Sequence, residues 1–288
     1  MPLASRATKR IASRENALYK TLARLAGSSR ARRESRAAIL DGPHLVAAFR
    51  ASGGTADTLV ASESGYARGE VRTLFDETPA RARVLLADRL FDSLAQVATP
   101  TGILAVVTAP GPERVPAALE TCLLLEGIQD PGNLGSILRT AAAAGVRQVL
   151  LASGCVFAWS PKVLRAGQGA HFGLSIHEGA PLAALAERFP GRVVVTDPHA
   201  DASVFDLDLT GQVAWVLGSE GGGVSPELAA HATVRARIPM PGSAESLNVA
   251  AAAAICLFEQ VRQRAATERA GGPSDPTTAS RRNSRKSS

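Results

Sequence analysis

The chain is predicted to be α/β: a small α/β domain followed by a larger one built on a mostly parallel sheet. Three observations carry that reading. Between residues 122 and 239 short apolar runs alternate with helix-period segments, the pattern of strands covered by helices on both faces. Glycine-rich or polar turns follow three of those runs, at the strand ends where open α/β sheets place their ligands. Finally, Ala109–Pro116 holds three prolines and a glycine in eight residues, which marks a junction between the halves. The expected layout is therefore a basic extension over residues 1–11, a first domain over 12–108, a linker over 109–116, a second domain over 117–266 and a disordered basic tail over 267–288.

In chain order, a helix is expected from Asn16, then a basic loop, a strand at Ala37–Leu40 and a helix at Pro43–Arg50 that ends near Gly53 and Gly54. The apolar runs Thr58–Ala61, Ala82–Leu86 and Ile103–Thr108 read as strands, with a helix at Asp88–Gln96. In the second half, strands are expected at Cys122–Leu125, Gln148–Ala152, Leu174–His177, Arg192–Thr196, Val213–Leu217 and Val234–Pro239. Helices are expected at Leu134–Ala144, from Pro161, at Leu182–Arg188 and at Leu247–Arg264.

Composition narrows the function. The 288 residues are 45% hydrophobic and 20% charged, enough to bury a core and unlike a disordered or collagenous chain. The apolar stretch Val249–Phe258 is about half of the ~20 residues a membrane span needs, and the basic amino terminus has no apolar segment before a cleavage site. A cytoplasmic protein without membrane contact is the expectation. Cys122, Cys155 and Cys256 stand far apart in apolar surroundings and suit reduced buried thiols, and the five histidines form no cluster, so no metal is expected.

The net charge of +6 sits at the ends: residues 1–36 carry ten Lys/Arg against two Glu, and residues 267–288 carry five against two acidic residues. Lys20, Arg24, Arg30, Arg32 and Arg33 suit contacts to the phosphates of a polyanion such as RNA, although a solvated helical face would show the same charges.

The three turns are Glu126–Asn133, Gly218–Gly223 and Pro239–Asn248. None carries the spacing of a dinucleotide or nucleoside-triphosphate phosphate cradle, which weakens a metabolic nucleotide-binding enzyme as the reading. Asn133 stands at a helix entry with Arg139 just under two turns further on, and Ser246 and Asn248 stand where the last helix begins. For Asn133, Ser246 and Asn248, helix capping is a full alternative to function. Glu220 lies within a glycine run, where the backbone can come close to a ligand.

In order and spacing, the segments Asp130-Pro-Gly-Asn-Leu-Gly-Ser-Ile-Leu-Arg-Thr140, Val216-Leu-Gly-Ser-Glu-Gly-Gly-Gly-Val-Ser225 and Ile238-Pro-Met-Pro-Gly-Ser-Ala-Glu-Ser-Leu-Asn-Val-Ala250 resemble the three motifs of the SpoU branch of the SPOUT RNA methyltransferases. The resemblance covers about residues 120–262. The first half is similar, through residues 34–47 and 101–106, to the substrate-binding domain that precedes the catalytic domain in many members. The resemblance implies a SPOUT domain with a parallel sheet and a deep trefoil knot, a homodimer, and S-adenosyl-L-methionine as cofactor. Carried over by position, it implies cofactor contacts at Leu217, Gly218, Ile238, Met240 and Leu247, and a catalytic set of Asn133, Arg139, Glu220, Ser246 and Asn248.

The implied reaction is methylation of a ribose 2′-hydroxyl. An arginine is effectively always protonated, so Arg139 is read as a phosphate binder that stabilises the developing alkoxide and not as a literal base. A separate first domain ranks 23S rRNA above tRNA as substrate. A non-catalytic RNA-binding or ribosome-assembly factor is the remaining alternative.

Overall fold

The computed structural model describes residues 8–97, 99–110, 116, 118–219 and 221–271. The first half forms a five-stranded sheet of order β1-β4-β3-β5-β2, with β1 (Lys9–Ile11), β2 (Ala37–Asp41), β3 (Thr58–Ser62), β4 (Arg83–Leu86) and β5 (Ile103–Thr108). β3 and β4 are parallel, and β5 runs antiparallel to both β2 and β3. Neighbouring residues on these strands point to opposite faces. Ile39, Val60 and Val106 meet Tyr19, Leu22 and Leu25 of α1 (Ala17–Gly27), while Ala38, Leu40, Leu59 and Ala105 face a second core. That second core includes α3 (Pro43–Ala51) and α5 (Gly69–Glu77) and runs on without a break into the carboxyl-terminal half.

The second half is a seven-stranded parallel sheet of order β10-β12-β9-β11-β6-β7-β8. Its central strands are β6 (Cys122–Leu125), β9 (Arg192–Thr196) and β11 (Val213–Leu217). They are flanked by β7 (Gln148–Leu151) and β8 (Ser175–Glu178) on one side and by β12 (Val234–Arg237) and β10 (Ala202–Ser203) on the other. One face is covered by α7 (Pro131–Ala143), α8 (Pro161–Gly167) and α11 (Val249–Gly271), the other by α9 (Leu182–Glu187) and α10 (Pro226–Ala229). The buried residues Val249, Ala253, Cys256 and Leu257 trace the helical stripe that turns α11 onto the sheet. Trp215 Nε1 of β11 donates to Gln260 Oε1 at 2.9 Å, and Gln260 Nε2 donates to the carbonyls of Leu209 and Gly211, so the dry side of this contact leaves no indole donor unpaired.

Several expectations are corrected. Lys9–Ile11 is not an extension but an edge strand paired with β4. The basic loop before β2 is a helix, α2 (Ser29–Ser35), capped by the Ser28 hydroxyl. The helix expected to reach Gln96 stops at Asp92, as α6 (Asp88–Asp92), and the following turn is held by Asp41, whose Oδ2 accepts from Gln96 N at 2.6 Å. The short α4 (Glu63–Tyr66) and α5 lie between β3 and β4, where no helix was expected, and α5 buries Val71, Leu74 and Phe75 on one side. Residues 267–271, assigned to a disordered tail, continue α11, and the rest of that tail lies outside the described residues.

The two halves meet closely. Phe49 packs edge-on to Phe172 at 5.3 Å between ring centroids, and the Arg33 guanidinium lies 4.6 Å from the centroid of Phe157. Ala109, in the segment read as a linker, is buried, and its N–H donates to the carbonyl of Arg36 at 2.7 Å. Among the described residues no three His, Cys, Asp or Glu side chains are placed to hold a metal ion, and no helix is long and apolar enough to cross a membrane.

Candidate active site

All three turns lie at the carboxyl ends of β6, β11 and β12, and two long-range contacts fasten them together. The first starts at Glu126, whose N–H donates to the carbonyl of Leu217 at 3.0 Å. Its carboxylate accepts from Ser225 N at 2.7 Å and from Ser225 Oγ at 2.9 Å. Since Ser225 also caps α10, Glu126 ties the first turn to the far end of the second. Gly127, at φ +67°, follows, and a side chain there would stand 3.2 Å from Ser219 Cβ.

The second contact joins the first turn to the third: Asn248 Nδ2 donates to Asn133 Oδ1 at 2.9 Å. Asp130, not Asn133, caps α7, with Oδ1 accepting from Asn133 N at 2.8 Å and Pro131 at the first helical position. Asn133 is therefore freed from the role that competed with function. Asn248 keeps both roles: Oδ1 accepts from Ala250 N at 3.0 Å and Ala251 N at 3.2 Å at the start of α11, while its amide reaches Asn133.

Between these contacts the second turn folds tightly on itself. Ser219 and Gly223 exchange both backbone hydrogen bonds, at 3.1 and 2.8 Å, and a Cβ on Gly218 would fall 2.0 Å from the Gly223 carbonyl oxygen. Only glycine fits at Gly218. A cavity of about 310 Å³ opens between the Gly127–Asp130 turn, Asn133, Ser219, Gly221 and Val249. That is within the usual size of small-ligand sites.

Of the expected catalytic set, Asn133 and Asn248 are in direct contact and Ser246 is exposed two residues before Asn248. Arg139 is exposed on α7 and makes no hydrogen bond or ion pair among the described residues. Glu220 lies outside the described residues. Of the five expected cofactor positions, Leu217 is buried, Ile238 and Met240 are half-buried, and Leu247 is 37% exposed. None of these, nor Gly218, walls the cavity itself.

The basic set divides. Lys20 pairs with Glu15 at 2.5 Å and Arg30 with Glu34 at 2.6 Å, both on the surface, and Arg24 and Arg33 are exposed. Arg32 is corrected from RNA contact to structure: it is 7% exposed, and its Nη1 donates to the carbonyls of Leu25 and Ala26 at the end of α1. The unpaired carbonyls of a helix end attract a cation, and burial there removes this one from solvent. Sequence reasoning missed Glu126 and Asp130. The Asp-Pro pair before α7 was a readable capping signal, whereas the partner of Glu126 lies 99 residues away.

Burial pushes the thiols of Cys122 and Cys256 up to about 12, and that of Cys155 upward, which leaves all three as unreactive thiols at neutral pH.

Residues 120–258 match the SpoU rRNA Methylase family. An uncharacterized tRNA/rRNA methyltransferase of Synechocystis sp. is 32% identical over 275 residues, 91% of this chain and 96% of that protein. The 23S rRNA (guanosine(2553)-2′-O)-methyltransferase RlmP of Bacillus subtilis is 31% identical over 87% of this chain and 98% of its own length. The structure of the SpoU methyltransferase AviRb from Streptomyces viridochromogenes in complex with AdoMet superposes with a TM-score of 0.78 at 28% identity, covering 87% of this chain and 99% of that one. Three motif turns drawn together at one edge of a parallel sheet, and full-length relatives above 30% identity, give one conclusion: the chain belongs to the SpoU family of S-adenosylmethionine-dependent RNA 2′-O-methyltransferases.

Proposed function

We propose that the RNA methylated by this chain is 23S rRNA, that it works as a homodimer, and that the second half is threaded as a deep knot. The observation that carries the catalytic reading is the Asn133–Asn248 hydrogen bond, which joins the first and third motifs beside a cavity walled by the first and second. The rRNA ranking is supported by full-length similarity to a relative named for 23S rRNA and by the closely packed first domain. Support for a dimer comes from two bulky apolar side chains left in solvent, Phe258 on α11 and Phe205 in the short turn packed on it, 47% and 48% exposed. Support for the knot comes from α11 returning against both α7 and β11.

The residues fit a ligand held by backbone groups. Among the described residues, Pro239–Leu247 makes no backbone-to-backbone hydrogen bond, so its donors and acceptors are free, and Gly221, where a Cβ would meet nothing within 4 Å, lets a ligand approach the main chain. Leu217, Gly218, Ile238, Met240 and Leu247 would hold S-adenosylmethionine, which supplies a methyl group on an activated sulfonium. The chain itself then has to place a ribose hydroxyl and lower the cost of removing its proton. Asn133 and Asn248, locked by their mutual hydrogen bond, orient the ribose. Arg139 binds the neighbouring phosphate through its planar fork and stabilises negative charge on the 2′ oxygen.

The test is transfer of labelled methyl from S-adenosylmethionine to RNA from a strain lacking the protein, followed by fractionation and mapping of 2′-O-methylated positions. Label in 23S rRNA that vanishes with Arg139→Ala is expected. Label confined to tRNA would overturn the substrate assignment, and no label in any fraction would overturn the activity.

A further inference from the structure

A second pocket, of about 160 Å³, opens where the two sheets meet. Its floor is Phe157 and Ile176, and its charged walls are Arg33, Arg36 and Glu178. Phe157 and Ile176 are 8% and 7% exposed, so the floor is apolar and already desolvated. Arg33 is exposed, and its guanidinium carbon lies over the Phe157 ring, 4.6 Å from the centroid, as a cation held against an aromatic face. Arg36 is exposed and has a left-handed backbone, φ 51°, at the end of α2, a position that glycine or asparagine fills at lower cost. Keeping a long cation there, its carbonyl tied to Ala109 N, points to a use for the side chain.

Glu178 ends β8. One carboxylate oxygen accepts from Ala158 N at 2.9 Å, and the other accepts nothing among the described residues. Burial holds this carboxyl above its ordinary value, against the pull of the Ala158 N–H and the charge of Arg33. An acceptor, a planar cation and a second cation over an apolar floor match the parts of one nucleotide: a base edge with an amino or imino donor, a base face, and a phosphate. The pocket is also coupled to the catalytic edge, since Val156, next to Phe157, donates its N–H to the carbonyl of Ile128 in the first motif turn at 2.8 Å.

We propose that this junction pocket is a second nucleotide subsite, which holds an unpaired base of the substrate RNA other than the one methylated. It rests on the RNA methyltransferase reading above. Arg33 stacks on the base, Arg36 meets a phosphate, and Glu178 accepts from the base edge. The two halves each supply a wall, Arg33 and Arg36 from the end of α2 and Phe157, Ile176 and Glu178 from the second half.

The experiment uses the full chain and unmethylated 23S rRNA from a strain lacking the protein, with RNA affinity, its salt dependence, methyl-transfer kinetics and S-adenosylmethionine affinity measured side by side. Arg33→Lys keeps the charge and loses the plane, so RNA Kd and KM rise about tenfold with the salt slope unchanged. Arg36→Ala raises them as well and lowers the salt slope by about one. Glu178→Gln, which can still accept from Ala158, raises RNA KM and leaves kcat alone. Arg188→Ala, an exposed cation at the end of α9 on the opposite face of the same sheet, changes none of these. Unchanged S-adenosylmethionine affinity shows that each variant is folded. Arg33→Lys within twofold of wild type would overturn the subsite, leaving Arg33 and Glu178 as an ionic joint between the halves. Wild type that binds RNA with this pattern but transfers no methyl would overturn the activity and retain the subsite, and no RNA binding at all would overturn both.

Discussion

Arg139, Asn133 and Asn248 divide the work at the site in a way that substitutions can separate. Arg139→Lys keeps a positive charge but loses the bidentate plane, so methyl transfer is expected to fall by about 100-fold or more while S-adenosylmethionine binding stays intact. Near-normal turnover in that variant, with RNA in excess, would remove Arg139 from the catalytic role. Asn248 offers a finer split, because its oxygen caps α11 and its amide donates to Asn133. Asn248→Ala loses both and should cost about 1 kcal/mol of stability together with activity. Asn248→Asp keeps the cap and loses the donor, so stability by urea unfolding should hold while kcat falls.

Elements are placed here by a few obligatory contacts. α7 and α8 approach so closely at Gly135 that a Cβ would stand 2.4 Å from Ala166 Cβ and 2.7 Å from the Val163 carbonyl oxygen. Gly135→Ala should therefore destabilise by about 1–3 kcal/mol, read as a lower urea midpoint at an unchanged m-value. α11 is bound to the sheet through Gln260, the shared partner of the Trp215 indole and two carbonyls. Gln260→Leu leaves that buried donor and those acceptors unpaired and should cost about 2–3 kcal/mol. Because Asn248 caps the start of α11, loosening the helix should also weaken the Asn133 contact, visible as a kcat loss before global unfolding.

Across the whole molecule, stability depends on pH through groups buried in the shared core. His171, 1% exposed, donates from Nε2 to the Ala158 carbonyl at 2.9 Å, and burial pushes its pKa from 6.5 down to about 4. A base depressed on folding is neutral in the native state and charged in the unfolded one. Its contribution is complete above about pH 6.5 and is lost as the pH falls toward 4, by about 3 kcal/mol. Asp41 and Glu178, raised chiefly by burial, act in the opposite direction, since their native forms hold protons more firmly. The difference between wild type and His171→Gln isolates the histidine: urea midpoints at pH 7.5 and 4.5 should fall more steeply for wild type. Equal slopes would show that His171 does not govern the acid side.

What the sequence determined by itself is what repeats or clusters locally. The apolar runs of β6, β9 and β11 coincide with their observed limits, since a strand buried on both faces is continuous in sequence. The three motif turns were legible because their residues are short-range neighbours at strand ends. Tertiary structure alone decided which of those residues meet. Asn133 and Asn248 are 115 residues apart, and Glu126 and Ser225 are 99 apart. It also decided that Arg32 is buried while Arg33 faces a pocket, although the two are adjacent and chemically identical. Local patterns record the backbone state a residue prefers, and burial and partnership depend on which distant surface folds against it.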